Sequence, residues 1–140
     1  MKLSNETREV LKNYSTINAN LLVTSGNQLT TMSQMKNIVS TANLPDTFDT
    51  EFAIYDLNEF LSAMSLFEDP TLEFGDNSVS ISQGGQSLKY FYSDPTVVTT
   101  PKSDITMPDS DATFTLKQSV FNQVLKASAV FGVPDMVLDV

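Results

Sequence analysis

The side chains best suited to chemistry in this sequence are a few cations, and they are concentrated in two segments. Five of the eight basic residues lie there: Lys2, Arg8, Lys12, Lys117 and Lys126. Residues 1–20 carry three of them against two acids, and residues 112–131 carry two with no acid. The rest of the chain has three basic and fifteen acidic residues, so the three parts (+1, +2 and −12) sum to the net charge of −9. Ammonium and guanidinium groups in this pattern could attract phosphate while the rest of the surface repels it.

Chemistry that depends on histidine or cysteine is excluded, because the sequence contains neither residue. The commonest general base and the commonest metal ligand are therefore missing, and neither disulfides nor thiolate metal sites can form. Two carboxylates could still serve as acid and base in a hydrolase, but no spacing marks such a pair. Asp109 and Asp111 do not fit an EF-hand loop. We expect no catalytic residue, no metal site and no cofactor.

Periodicity predicts the elements that position the first group of cations. Helical spacing of apolar residues predicts a helix over about 5–18, in which Arg8 and Lys12 share one face because they are four residues apart. Residues 21–25 and 28–32 around Gly26-Asn27 predict a β-hairpin. Further strands are predicted at 36–43, 50–55, 71–74, 78–83 and 87–92. Asp56 is placed to begin a second helix with an apolar stripe. The pattern is typical of an α+β domain.

The second group of cations follows a polar stretch that is rich in proline and aspartate, residues 93–111, which has the composition of a linker. Beyond it we predict a short strand over 112–117, a helix over 118–131 that Gly132 ends, and the start of another strand at Met136. The two ends of the chain resemble each other. Val10-Leu11-Lys12 near the start is identical to Val124-Leu125-Lys126 near the end, and each is predicted to lie in a helix that is followed by an apolar strand. This similarity indicates a duplicated domain whose second copy is cut short.

Several stretches together resemble one known family, the sliding clamps of T4-like bacteriophages. The stretches are Met1–Ser4, Leu11–Tyr14, Ala53–Asn58 and Asp94–Val98. The resemblance implies a DNA clamp fold, with two helices packed on antiparallel β-sheet in each domain. Residues 1–92 would be the first clamp domain, 93–111 the interdomain connector and 112–140 the truncated start of a second domain. It also implies a homotrimeric ring that is placed on double-stranded DNA by a clamp loader and tethers the replicative polymerase in the cytoplasm of a bacterial host.

The resemblance also assigns roles to particular residues. In this family helices line the hole of the ring, so Lys2, Arg8, Lys12, Lys117 and Lys126 are expected to face DNA. Partner proteins insert a short hydrophobic peptide beside the connector, and we expect Met32, Met35, Val97 and Val98 to form that pocket. These residues also have alternative roles that involve no partner. The cations would then be exposed to solvent on a helix face, and the apolar residues would pack locally within the domain. For the whole protein, the alternative is an acidic, β-rich virion or structural protein.

Overall fold

The computed structural model describes residues 1–101, 109–110 and 112–137 of a chain that divides into two compact units, Met1–Ile105 and Thr106–Val140. Within the described residues, the first unit contains two α-helices, seven strands and a short 3-10 helix, Pro95–Val97, and the second contains one α-helix. No helix in these ranges is both long and apolar enough to cross a membrane.

The first helix, α1 (Asn5–Ile17), confirms the predicted helix. Ser4 caps it by accepting a hydrogen bond from the Thr7 amide at 3.1 Å, which satisfies one of the free amides of the first turn. Thr7, Leu11 and Tyr14 are buried at successive turns and form the face that packs on the sheet. Because this face is fixed by burial, the cations of α1 must lie elsewhere on the helix.

The strands are β1 (Leu21–Val23), β2 (Gly26–Met32), β3 (Val39–Phe48), β4 (Phe52–Ile54), β5 (Thr71–Phe74), β6 (Ser78–Gln83) and β7 (Gln86–Phe91). All pairings are antiparallel: β1 pairs with β4, β2 with β3, and β6 lies between β5 and β7. The second helix, α2 (Leu57–Ser65), is capped by Asp56 as predicted, since its carboxylate accepts from the amides of Asn58 and Glu59. The two helices and the antiparallel sheets give the predicted α+β fold.

The predicted hairpin between residues 21–25 and 28–32 is wrong. Gly26 is already part of β2, where it pairs with Phe48, and the register shifts between Gly26 and Gln28. Asn27 therefore belongs to a bulge rather than to a turn. β1 leaves β2 and pairs with β4, which places Leu21 opposite Ile54 in the core.

One hydrophobic core holds the first unit together. Leu11 and Tyr14 of α1 pack there with Leu57, Phe60 and Met64 of α2 and with buried residues of the strands. Beside them, Phe48, Phe52, Phe74 and Tyr92 form an aromatic group with ring centroids 5.0 to 5.8 Å apart. The core thus fixes the position of both helices on the same sheets.

The second unit contains α3 (Gln118–Phe131), which confirms the predicted helix. Gly132 ends it in the left-handed conformation, with φ 65°, as expected for a C-terminal glycine. The strand predicted over 112–117 is wrong: these residues form no strand, because a strand requires a hydrogen-bonded neighbour and the described part of this unit has none. The strand predicted from Met136 is not present at 136 and 137, and its continuation lies outside the described residues.

Candidate nucleic-acid interface

A groove between α1 and α2 contains two of the predicted cations. It encloses about 440 Å³ and its lining residues are Arg8, Glu9, Lys12, Ser15, Asn58, Leu61, Ser62, Met64, Ser65 and Phe67. Arg8, Lys12 and Ser15 follow one another at about one turn, with Glu9 directly after Arg8, and all four lie next to the buried stripe of α1 rather than within it. The α2 side of the groove offers hydroxyl, amide and apolar groups but no charge, so the charges of the groove, two cations and the Glu9 carboxylate, all come from α1.

The structure brings Lys2 and Arg8 together on one carboxylate, that of Asp69. Lys2 donates to one oxygen of Asp69, and an Arg8 guanidinium nitrogen lies 3.4 Å from the other oxygen. Arg8 also donates to the Glu68 carbonyl at 3.5 Å. Asp69 follows α2 in the chain, and its own amide donates to the Gln83 side chain at 3.1 Å. The two cations therefore lie on either side of a single anion.

The hydrogen bond from Lys2, with the nearby charges of Lys2 and Arg8, holds the pKa of the Asp69 carboxyl below its ordinary value. The three groups remain accessible: the side chains of Lys2, Asp69 and Arg8 are 56%, 52% and 28% exposed. The Nε atom of Arg8 is buried and has no hydrogen-bond partner among the described residues. Exposed ion pairs of this kind hold their members weakly.

Lys12 is placed differently from Lys2 and Arg8. It is exposed in the same groove, one turn beyond Arg8. In the part of the chain that the structure describes, both recorded ion pairs involve Asp69 and neither involves Lys12. Lys12 is therefore the cation of α1 whose charge is most available to an external anion.

The other two predicted cations belong to the second unit. Lys117 stands at the N-terminal cap of α3 and makes no side-chain capping bond, and Lys126 is exposed on the helix. Within α3, no residue is buried. The predicted DNA-facing roles of these two residues stay predictions.

The four residues predicted to form a partner pocket lie on different elements. Met32 is buried in β2, whereas Met35 is 85% exposed in the turn before β3. Val97 is exposed in the 3-10 helix and Val98, directly after it, is buried. Met35 lines a concavity at the C-terminal end of α1, whose lining residues do not include the other three. The pocket assignment stays a prediction.

Reasoning from the sequence missed the role of Asp69. The residue lies more than sixty positions from Lys2 and Arg8 in sequence, and it precedes a proline in a turn, where an acidic side chain is common. No local spacing signals such a contact. The sequence also shows no sign of the contact between Asp46 and Ser4, the cap residue of α1. The Ser4 amide donates a hydrogen bond to the Asp46 carboxylate at 2.8 Å.

Comparison with known proteins shows the family to which the chain belongs. A family profile described as DNA polymerase processivity factor matches residues 4–93. The sliding clamp of Vibrio phage KVP40 is 36% identical, over 97% of this chain and 63% of the relative. The sliding clamps of Enterobacteria phage T4 and Escherichia phage RB69 are 32% and 29% identical, each over 91% of this chain and 57% of the relative. The chain thus spans about three fifths of the length of these curated relatives.

The arrangement of two helices on antiparallel sheets, together with the matching profile, is that of the DNA clamp fold. The chain belongs to the family of DNA polymerase processivity factors. Membership of this family favours a clamp over the alternative class of protein, an acidic, β-rich virion or structural protein.

Proposed function

We propose that the chain forms part of a sliding clamp, which has no catalytic step of its own and holds a replicative DNA polymerase on double-stranded DNA. The observation that carries the proposal is the placement of Arg8 and Lys12 in the groove between α1 and α2, in a protein whose net charge is −9. The processivity factor family supports a polymerase partner. Residues 1–92 serve as the first clamp domain, 93–111 as the connector and 112–140 as the beginning of a second domain.

The distribution of charge suits a protein that must move along DNA. A few cations attract phosphates at any sequence, because phosphate contacts carry no base information. Since they are few, each contact is weak and can be exchanged for the next. The acidic remainder of the chain, with three basic and fifteen acidic residues outside the two cationic segments, disfavours binding of DNA elsewhere.

The proposed assembly is a homotrimeric ring that a clamp loader places on DNA in the cytoplasm of the bacterial host. The relatives named sliding clamps support this proposal. In the ring, α1 and α3 line the hole, with Arg8, Lys12 and Lys126 on the helices and Lys2 and Lys117 just before them. Partner proteins insert a hydrophobic segment near Met32, Met35, Val97 and Val98, of which Met35 and Val97 are exposed enough to meet it directly.

The test asks whether the protein stays on DNA because it encircles the duplex or because it adheres to the DNA surface. The complete gene product that contains residues 1–140 is threaded at high concentration onto linear duplex DNA, both ends are blocked with streptavidin, and free protein is removed by gel filtration in high salt. We expect protein to remain on blocked DNA and to leave when a restriction enzyme cuts it. Native mass spectrometry should show three subunits.

Two results would contradict the proposal. One is equal retention on blocked and open DNA, which would indicate ordinary adhesion. The other is a monomer in native mass spectrometry at the concentration at which retention is measured.

A further inference from the structure

We propose that Asp69 is a built-in competitor of phosphate, which occupies the anion position between Lys2 and Arg8 and thereby limits how tightly this part of the protein holds DNA. This inference rests on the proposed function and deepens it. It divides the three cations of the N-terminal segment into a pair restrained by Asp69 and one, Lys12, that is exposed and takes part in neither ion pair recorded in the described residues.

The geometry of the cluster is that of an anion site already filled. Lys2 and Arg8 approach different oxygens of the same carboxylate, so each oxygen of Asp69 faces one cation. A phosphate group offers two such oxygens at a similar separation. Arg8 meets its oxygen of Asp69 through a terminal guanidinium nitrogen, and its other terminal nitrogen donates to the Glu68 carbonyl at 3.5 Å.

Asp69 is held in this position by its own backbone. Pro70 follows it and is buried, and the Asp69 amide donates to the side chain of Gln83 at 3.1 Å. The carboxylate therefore stays beside the two cations as a tethered group. A tethered anion competes with an external one at a high effective concentration.

The exchange remains possible because the cluster is open to solvent. The Asp69 and Lys2 side chains are each more than half exposed, and exposed ion pairs are weak. A phosphate of the backbone can therefore replace the carboxylate for a short time, and Asp69 can take the cations back when the DNA moves. The result is a contact that forms and breaks readily, which suits sliding.

The experiment compares Asp69→Asn with Asp49→Asn in the complete gene product. Both changes remove one negative charge, but Asp49 is exposed in the turn between β3 and β4 and has no recorded ion pair in the described residues. Affinity for a short duplex is measured by fluorescence anisotropy from 50 to 200 mM salt. We expect Asp69→Asn to steepen the slope of log K against log salt by about 0.9 for each cation it releases, and Asp49→Asn to leave the slope unchanged.

A third variant keeps the test decisive if Asp69 also supports the local structure. Lys2→Gln should change the slope little in the wild-type protein and should remove part of the gain in the Asp69→Asn protein. Circular dichroism shows that each variant is folded. Equal slopes for Asp69→Asn and Asp49→Asn, or equal effects of Lys2→Gln in both backgrounds, would overturn the inference.

Failure of the inference can be told apart from failure of the proposed function. If Lys12→Gln lowers the slope while Asp69→Asn behaves like Asp49→Asn, the clamp function stands and only the role of Asp69 is refuted. If neither change affects DNA binding and the protein is retained equally on end-blocked and open DNA, the proposed function itself is refuted, and the inference with it.

Discussion

Replacement of Lys12 by glutamine should reduce the salt dependence of DNA binding without loss of stability. Lys12 is exposed in the groove between α1 and α2, and neither ion pair recorded in the described residues involves it. One phosphate contact contributes about 0.9 to the slope of log K against log salt. Between 50 and 200 mM salt, a fourfold change, this amounts to roughly a 3.5-fold smaller loss of affinity per subunit.

The assay is fluorescence anisotropy with a labelled duplex, and the matched control is Lys89→Gln. Lys89 is exposed on β7 and carries the same charge on a sheet instead of a helix. The control should lower affinity slightly through net charge and leave the slope unchanged. An equal fall in slope for both variants would refute the idea that phosphate contacts are confined to the helices.

Three further changes probe the elements that position the groove. Leu11→Ala, at a side chain only 2% exposed in the core, should lower the free energy of unfolding by about 3 kcal/mol in a urea titration. Asp56→Ala removes the cap of α2 and should cost about 1 kcal/mol in the same titration; no measurable loss in either case would contradict the packing described. Burial acts to raise the pKa of Asp46, but hydrogen bonds from Thr7 and Ser4 outweigh it and lower that pKa. The stabilisation by the Asp46 carboxylate should therefore be full above the ordinary aspartate pKa of about 4 and be lost as the pH falls through the lower pKa of the folded state. The Asp46→Asn protein lacks this carboxylate, so its Tm should depend less on pH in that range than the Tm of the wild type.

The elements that local patterns determine were predictable from the sequence. α1, α2 and α3 follow from apolar spacing and from caps that lie within a few residues of each helix, as with Asp56 and Gly132. The three strands β5, β6 and β7 follow from alternation and from glycine turns, because neighbouring strands in the chain pair with each other.

The features that depend on distant residues were not predictable in this way. β1 pairs with β4, about thirty residues further along the chain, instead of with its neighbour β2, and alternation alone does not reveal a partner. The cation cluster around Asp69 also depends on residues that are distant in sequence. Spacing placed Arg8 and Lys12 on one helix face, but the carboxylate that binds Lys2 and Arg8 comes from beyond α2, at Asp69.

The central claim, that the helices and not the sheets face DNA, is tested most directly by crosslinking. The sequence contains no cysteine, so a single introduced cysteine carries a photo-crosslinker at a chosen position. Ser62→Cys places it on α2 in the groove, and Ser87→Cys places it on the exposed face of β7. In the complete gene product on end-blocked duplex DNA, we predict crosslinks from position 62 and none from position 87. Crosslinks at equal yield from both positions, or from position 87 alone, would contradict the claim.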